Sequence, residues 1–390
     1  MNSWKPSFLR TVDTVIGKSL VLIISTLTPT KIANQPSSIK NIAVIRLWAM
    51  GESILALPAI NALKQAQPDT KITVITTPYV APVFYNQPTI NNVHIVKPNI
   101  LSLTRYALKH RHHFDIVVDF EPYLFVSALL AWSTGKWRVG FATRERQKIY
   151  NESVKYDDQQ HVVYTNLDLI KSMSGNIKKK PRLPNLNYSV KDSEKVETIL
   201  NKKALYKEQD FILLAPSVGK SALYRMWPWQ RFAKLADQLV YINKKQIVWI
   251  GDKSDEALIN TIRKTMKHDS HSITNISLNQ LFYLVSQAQL LIANDSGIMH
   301  IGAAMKTHTL GLFGPNTPVR FAPFGKNNKS IYHPTKGSPH INIHKGKIPI
   351  TRSTQCAQAM MSIQVDEVNK LANLMLLETQ QLDSSNSPRF

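Results

Sequence analysis

Several stretches of this chain place small polar residues where an apolar run gives way to a turn, which is where α/β proteins hold ligands. The clearest is Asn294-Asp295-Ser296-Gly297-Ile298-Met299-His300, which follows the apolar run Leu290-Leu291-Ile292-Ala293 and leads into a short helical pattern. Asp295 could accept hydrogen bonds from sugar hydroxyls. The unpaired N–H groups where Ser296 and Gly297 open the helix can face an anion. The simpler alternative is that Asp295 or Ser296 only caps that helix. His300 lies about one turn further on, and a lone histidine there reads as structural.

Three other turns carry candidate groups. Glu52 follows Gly51 just after the run Ile42-Ala43-Val44-Ile45-Arg46-Leu47. A carboxylate in a first βα loop could take a proton from an attacking hydroxyl, or it could be a solvated residue favouring a helix start through the dipole. Pro216-Ser217-Val218-Gly219-Lys220-Ser221 follows the run Phe211–Ala215, and Arg225-Met226-Trp227-Pro228 comes next. Lys220 or Arg225 could neutralise a diphosphate leaving group, with Ser217 beside it; each cation could equally be a solvated surface charge. Gly251-Asp252 ends another apolar run, where a nucleotide base or ribose would lie.

Some chemistries lack their residues. No Gly-x-Gly-x-x-Gly stands at the first loop, against a nicotinamide dehydrogenase, and no Gly-x-x-x-x-Gly-Lys-Ser/Thr occurs, against a phosphate-loop ATPase. No His/Asp/Glu cluster has metal-ligand spacing and no Asp-x-Asp is present, so a divalent metal holding a nucleotide diphosphate is not expected. The single cysteine, Cys356, rules out an intrachain disulfide framework and fits the cytosol.

These turns need elements to position them. The 390 residues are enough for two domains or one large one, and 43% hydrophobic content is ordinary for a globular protein. The net charge of +22 points to a polyanionic partner: nucleic acid, an anionic membrane or a phosphorylated substrate. Nucleic acid is the least expected, because most Trp and Phe fall in buried-looking runs rather than among exposed cations. Ile42–Leu47, Ile72–Ile75, Val93–Val96 and Phe114–Phe120 read as strands, alternating with helices at Ile54–Gln65 and Leu124–Trp132. Pro58 is tolerable only in or near the first turn of its helix. After the Lys- and Pro-containing stretch 174–194 the pattern restarts with strands at 211–215, 246–251, 290–293 and 309–313. Helices are predicted over Pro228–Val240, Glu256–Met266, Leu278–Ser286 and Val365–Gln380.

Alternation of this kind predicts an α/β protein of two doubly wound parallel-sheet units, strand ends facing a cleft. The expected organisation is an N-terminal segment and linker (1–37), two Rossmann-like domains (38–190 and 191–350), and a C-terminal helix and tail (351–390). In the N-terminal segment the apolar part Leu20–Ile24 is too short to span a bilayer, and no small-residue cleavage site follows it. It reads either as an amphipathic segment in a membrane interface or as a helix packed on the protein itself.

The motifs in their order resemble glycosyltransferase family nine, the ADP-heptose–lipopolysaccharide heptosyltransferases and their relatives, over roughly residues 40–375. Arg46-Leu47-Trp48-Ala49-Met50-Gly51-Glu52 with Leu57-Pro58-Ala59 is similar to the family's opening Arg-Leu-x-x-x-Gly-Asp segment. Phe114–Asp119 and Arg138-Val139-Gly140-Phe141 resemble its middle landmarks, and Arg225-x-Trp227-Pro228 its Lys/Arg-x-Trp-Pro element. Asn294–His300, with Gly311-Leu312-Phe313-Gly314-Pro315-Asn316 and Pro323-Phe324-Gly325, resembles its signature.

The resemblance implies a GT-B fold, no required metal or other cofactor, and inverting displacement at the anomeric carbon. It implies a donor held by the C-terminal domain through Arg225, Asp295, Gly297 and His300, and an acceptor held by the N-terminal domain. The proposed general base maps to Glu52, where members usually carry Asp; the extra methylene alters its reach. The implied partners are a nucleotide sugar, ADP-heptose above others, and an anionic glycolipid of the lipopolysaccharide core, met at the cytoplasmic face of the inner membrane. Two alternatives stay open: a relative using another nucleotide sugar, and a non-catalytic nucleotide-sugar-binding protein.

Overall fold

The computed structural model describes residues 13–28, 34–175, 177, 179–205, 211–342 and 354–386. The chain divides into two compact units between Pro184 and Asn185, and residues 354–386 belong to the second. Each unit carries a six-stranded sheet in which every pairing is parallel.

In the first unit the strands are β1 (Asn41–Ile45), β2 (Lys71–Thr76), β3 (Asn92–Ile95), β4 (Phe114–Asp119), β5 (Gly135–Phe141) and β6 (Glu152–Val154), in the order β3-β2-β1-β4-β5-β6. Its helices are α1 (Lys18–Leu27), α2 (Met50–Ala66), α3 (Ile100–Lys109), α4 (Phe125–Thr134) and α5 (Val162–Ser174). In the second unit the strands are β7 (Phe211–Ala215), β8 (Gln246–Gly251), β9 (His271–Thr274), β10 (Leu290–Asn294), β11 (His308–Phe313) and β12 (Lys329–Tyr332), in the order β12-β11-β10-β7-β8-β9. Its helices are α6 (Val190–Lys202), α7 (Trp229–Asn243), α8 (Glu256–Thr265), α9 (Leu278–Ser286), α10 (Gly297–Ala304), α11 (Pro318–Phe321), α12 (Thr354–Met361) and α13 (Val365–Asn386).

The two sheets have one topology. In each, the unit's first strand lies at the centre beside its fourth: β1 beside β4, β7 beside β10. Connections leave these neighbours in opposite directions, and that reversal opens a crevice at their carboxyl ends. The central strands are buried on both faces: Ile42–Ile45, all of β7, β10 and β11. Continuous apolar runs such as Phe211-Ile212-Leu213-Leu214-Ala215 are what helices on both faces of a parallel sheet require. In the second unit α13 closes the core, burying Val368, Ala372 and Met375 with Phe232 and Trp249.

Three local readings change. The helix expected from Ile54 begins at Met50, so Glu52 stands in its first turn and not in a preceding loop. Pro58 is therefore well inside a helix, and the carbonyl of Ile54 loses its i+4 donor. The flanking residues Ile54–Ile60 are all buried, and that packing holds the helix through the defect. Helix α3 was not foreseen between the third and fourth strands. Its inward residues Leu103, Tyr106 and Ala107 follow the helical period, but the apolar Leu101 and Leu108 and the cations Arg105 and Lys109 interrupt the pattern.

The described part of the N-terminal segment packs on the first unit. Asp13 accepts hydrogen bonds from Phe125 N (3.0 Å) and Val126 N (2.7 Å), supplying from a distance the cap that Leu124 cannot give α4. Gly17 lies against Phe125, and Val21 is fully buried in the core formed with Phe125, Ala128 and Ala131. No described helix is long and apolar enough to cross a membrane.

Candidate active site

The second unit builds its site at the β7/β10 switch. Asn294, the last residue of β10, is fully buried and joins three segments: its Oδ1 accepts from Trp227 N (2.9 Å), and its Nδ2 donates to Pro216 O (2.9 Å). One amide thereby ties the loop after β7 and the Arg225-x-Trp227-Pro228 turn to the end of β10. Trp227 is locked from its other side by Nε1 donating to Ile363 O (3.1 Å). With the turn pinned, Arg225 reaches Asp295: Nη1 to Oδ2 is 3.1 Å, and Asn316 Nδ2 donates to the same oxygen at 2.8 Å. Arg225 is about one-fifth exposed while Asp295 is buried, so the pair presents a guanidinium to solvent over a fixed carboxylate.

The helix cap was left open by the sequence. Ser296 is the N-cap residue of α10, with extended backbone, yet its side chain makes no capping hydrogen bond, and its Oγ is buried without a partner among the described residues. Asp295 is engaged by Arg225 and Asn316. The first N–H groups of α10 are thus not capped by either side chain, which leaves them for an anion. Gly297 opens the helix and His300 is buried within it.

Two candidates spend their side chains on hydrogen bonds within the loops instead. Ser217 Oγ donates to Asp255 Oδ2 (2.8 Å), and Asp255 Oδ2 also accepts from Asp252 N (2.9 Å). Asp252 spends its Oδ1 on Ser254 N and Oγ, both at 2.6 Å, in a capping box that opens a short 3-10 turn, Lys253–Asp255. Ser217 and Asp252 therefore shape the loops after β7 and β8. Lys220 opens the 3-10 turn Lys220–Arg225, and its side chain lies outside the described residues.

The first unit builds its counterpart at the β1/β4 switch. Arg46 follows β1, Glu121 follows β4, and Glu52 stands in the first turn of α2. The Arg46 guanidinium donates through Nη1 to Phe120 O (2.8 Å), is paired through Nη2 with Glu52 Oε2, and lies 3.8 Å from Glu121 Oε2. Arg46 and Glu121 are buried; Glu52 is the member that reaches solvent, at 18% exposure. Burial opposes the Arg46 charge, but Glu121 and Glu52 outweigh it and raise its pKa. Burial likewise pushes the Glu121 carboxyl above the ordinary range, with Arg46 opposing it.

Glu121 also holds the loop: its Oε1 accepts from Leu47 N (2.7 Å) and Trp48 N (2.9 Å). The next residue, Ala49, has φ 64° and ψ 110°, a conformation costly for a residue with a Cβ. The strained turn and the Glu121 anchor together aim Glu52. Sequence reading missed Glu121; its signal was a charged residue two positions after a buried strand that ends in Asp119.

Beneath lies a second buried polar cluster. Arg146 donates to Asp119 Oδ2 (2.8 Å) and Tyr150 hydroxyl (2.6 Å), and Ser127 Oγ and Tyr150 hydroxyl each donate to that carboxylate oxygen, at 2.8 and 2.7 Å. Asp119 Oδ1 accepts from Glu121 N at 2.9 Å, connecting the cluster to the Arg46 site. Burial raises the Tyr150 pKa well above its ordinary value. A Cβ at Gly140 would stand 2.6 Å from the Tyr150 ring, which is the steric reason for glycine in Arg138-Val139-Gly140-Phe141.

Among the described residues no group of three or more His, Cys, Asp or Glu is placed to hold a metal ion. Two six-stranded parallel sheets of Rossmann topology, each with a polar site at its switch point, make the GT-B fold that the solved neighbours share. The sequence profile of glycosyltransferase family 9 (heptosyltransferase) matches residues 104–347, and the chain belongs to that family. The match starts beyond the Arg46–Glu52 segment, so it is narrower than the span 40–375 read from the motifs.

Lipopolysaccharide heptosyltransferase 3 of Escherichia coli (strain K12) is 23% identical over 296 residues, covering 71% of this chain and 83% of that protein. Among solved structures, a family 9 glycosyl transferase of Veillonella parvula superposes with a TM-score of 0.74 at 21% identity, covering 87% of this chain and 97% of that one. The E. coli ADP-heptose lps heptosyltransferase II superposes with a TM-score of 0.68 at 19% identity, covering 88% of this chain and 100% of that one.

Proposed function

We propose that this glycosyltransferase moves heptose from ADP-heptose to a hydroxyl of a lipopolysaccharide core or related anionic glycolipid, with inversion at the anomeric carbon. The acceptor oxygen attacks that carbon, the bond to the diphosphate breaks, ADP leaves, and Glu52 takes the acceptor's proton. Arg225, Lys220 and the uncapped start of α10 at Ser296-Gly297 receive the diphosphate charge. Asp295 accepts from a donor hydroxyl, and His300 lies one turn behind. Ser217 and Asp252 act by shaping the loops around the nucleotide. The observation that carries this reading is the Asn294 bridge, which sets Arg225 against Asp295 beside uncapped helix N–H groups at the β7/β10 switch.

The heptose and ADP assignments rest on the names of the relatives, lipopolysaccharide heptosyltransferase 3 and ADP-heptose lps heptosyltransferase II. The acceptor being membrane-borne, we place the protein at the cytoplasmic face of the inner membrane, with the segment 1–37 contributing peripheral contact; residues 13–28 of it carry Val15, Ile16, Leu20, Ile23 and Leu27 exposed.

The test is a donor panel, ADP-heptose against UDP- and GDP-sugars, scored for saturable binding and for turnover with a truncated lipid acceptor. Binding and turnover with ADP-heptose are expected. Saturable binding to none of the sugars would sink the transferase reading, turnover only with another sugar would replace heptose, and binding without turnover would leave a nucleotide-sugar-binding protein.

A further inference from the structure

Helix α3 has two apolar faces. Leu103, Tyr106 and Ala107 point into the core of the first unit, as a surface helix should. The opposite face carries Leu101 at 60% and Leu108 at 70% exposure, and Ile100 at the helix start is 75% exposed. Helix α1 repeats the arrangement: Val21 and Ile24 pack inward, while Leu20, Ile23 and Leu27, with Ile16 one turn earlier, form an exposed stripe at helical spacing. Both helices lean on α4 and share one core cluster, so the two helices belong to one layer of the unit. Scattered exposed aliphatics are ordinary; two helices each offering an apolar outward face are not.

The charge around α3 selects what covers it. No acidic residue occurs between Asp69 and Asp115, while Lys97, Arg105, Lys109 and Arg111 are all exposed. On α1 the single cation, Lys18, is paired with Glu145 at 2.6 Å. A second copy of this chain meeting α3 through a two-fold axis would set this acid-free cationic face against itself. Nucleic acid would use exposed aromatics among the cations, whereas the residues standing out here are aliphatic. Aliphatic side chains flanked by cations with no acid match an anionic lipid surface, where the aliphatics enter the acyl boundary and the cations meet phosphate.

We propose that the outward faces of α3 and α1 dock the first unit on an anionic phospholipid surface. This deepens the reading of a membrane-borne acceptor and rests on it only for its biological setting, since docking requires neither donor nor transfer. It adds α3, far along the chain from the N-terminal segment, as a contact element.

The test is co-sedimentation of the full chain with vesicles of phosphatidylcholine and phosphatidylglycerol in equal parts, and with pure phosphatidylcholine. Three paired variants are compared: Leu101→Gln with Leu108→Gln, Leu20→Gln with Ile23→Gln, and Arg105→Gln with Lys109→Gln. Each changes exposed side chains, and thermal unfolding checks that the fold is kept.

The wild type is expected to bind the anionic vesicles and not the neutral ones. Each cation removed should weaken binding by about fivefold, and each aliphatic pair should weaken it by about tenfold or more. Donor binding should stay unchanged in all three variants. Equal binding by the wild type and the α3 variants would overturn the proposal, as would equal binding to neutral vesicles. A dimer in light scattering that the α3 variants abolish, with no vesicle binding, would assign the face to self-association instead. If docking succeeds while the donor panel fails, the transferase reading falls and the surface stands; the converse result removes only the surface.

Discussion

At the scale of single residues the proposed chemistry rests on two side chains, Glu52 and Asn294. Glu52→Gln should fold and bind the nucleotide sugar as the wild type does, yet lose turnover by about a hundredfold or more, the usual contribution of a general base. Unchanged turnover would remove Glu52 from the reaction. Glu121 acts through others: it holds Leu47 N and Trp48 N and faces Arg46. Glu121→Gln keeps an acceptor for both N–H groups and removes the charge, so kcat should fall while donor KM holds. Glu121→Leu should in addition destabilise the protein, because the buried Leu47 N–H loses its acceptor, at about 1–3 kcal/mol, and the part-buried Trp48 N–H loses it too. Asn294→Asp keeps the acceptor for Trp227 N but cannot donate to Pro216 O. Asn294→Ala loses both, and urea unfolding should rank Ala below Asp below wild type, with donor affinity falling in the same order.

At the scale of elements, the N-terminal segment and α3 owe their places to long-range contacts. Asp13→Ala removes the cap of α4, made across more than a hundred residues of sequence. A cost of about 1–2 kcal/mol is expected from lost capping, read as a lower thermal midpoint; no change would mean that Gly17 and Val21 alone hold the segment. Helix α3 is bordered by histidines: His94 Nδ1 is 2.7 Å from Tyr106 hydroxyl, and the His110 ring lies 4.4 Å from that of Tyr106. Burial, with the neighbouring charges of His113 and Lys109, holds His94 and His110 below the ordinary histidine pKa of 6.5. Folded-state pKa values below the unfolded value favour the neutral form. Their contribution to stability is thus complete above about pH 6.5 and lost as pH falls through the unfolded and then the folded pKa. Thermal midpoints should drop between pH 7.5 and 5.5, and His94→Gln with His110→Gln should flatten that slope.

At the scale of the whole molecule, the charge of +22 acts as a field on anything anionic. If the acceptor is a phosphorylated glycolipid, its kcat/KM should fall steeply as salt rises toward physiological strength, where screening sets in over about 8 Å. Donor KM should change far less, because in the proposed binding mode Arg225 and helix N–H groups meet the diphosphate at contact distance. Parallel loss of both would argue against steering of the acceptor.

Strand runs, the restart near residue 211 and the polar turns were legible in the sequence, because continuous apolar stretches ending in Asn-Asp-Ser-Gly or Gly-Glu are local patterns. Helix α3 was not legible, since apolar residues on its outer face blur the helical period. The stretch Asn294-Asp295-Ser296-Gly297 marked a candidate ligand turn, but assigned Asn294 no role of its own and left the cap of α10 undecided. Folding settled both points: Asn294 joins β7, β10 and the Trp227 turn, and Ser296 leaves the helix start uncapped. Likewise the sequence chose Glu52, while only the packing of β1 against β4 brought Arg46 and Glu121 to it. Residue types and spacing determine which chemistry is available and which elements form. Partners far apart along the chain meet only through strand order, which no local pattern encodes.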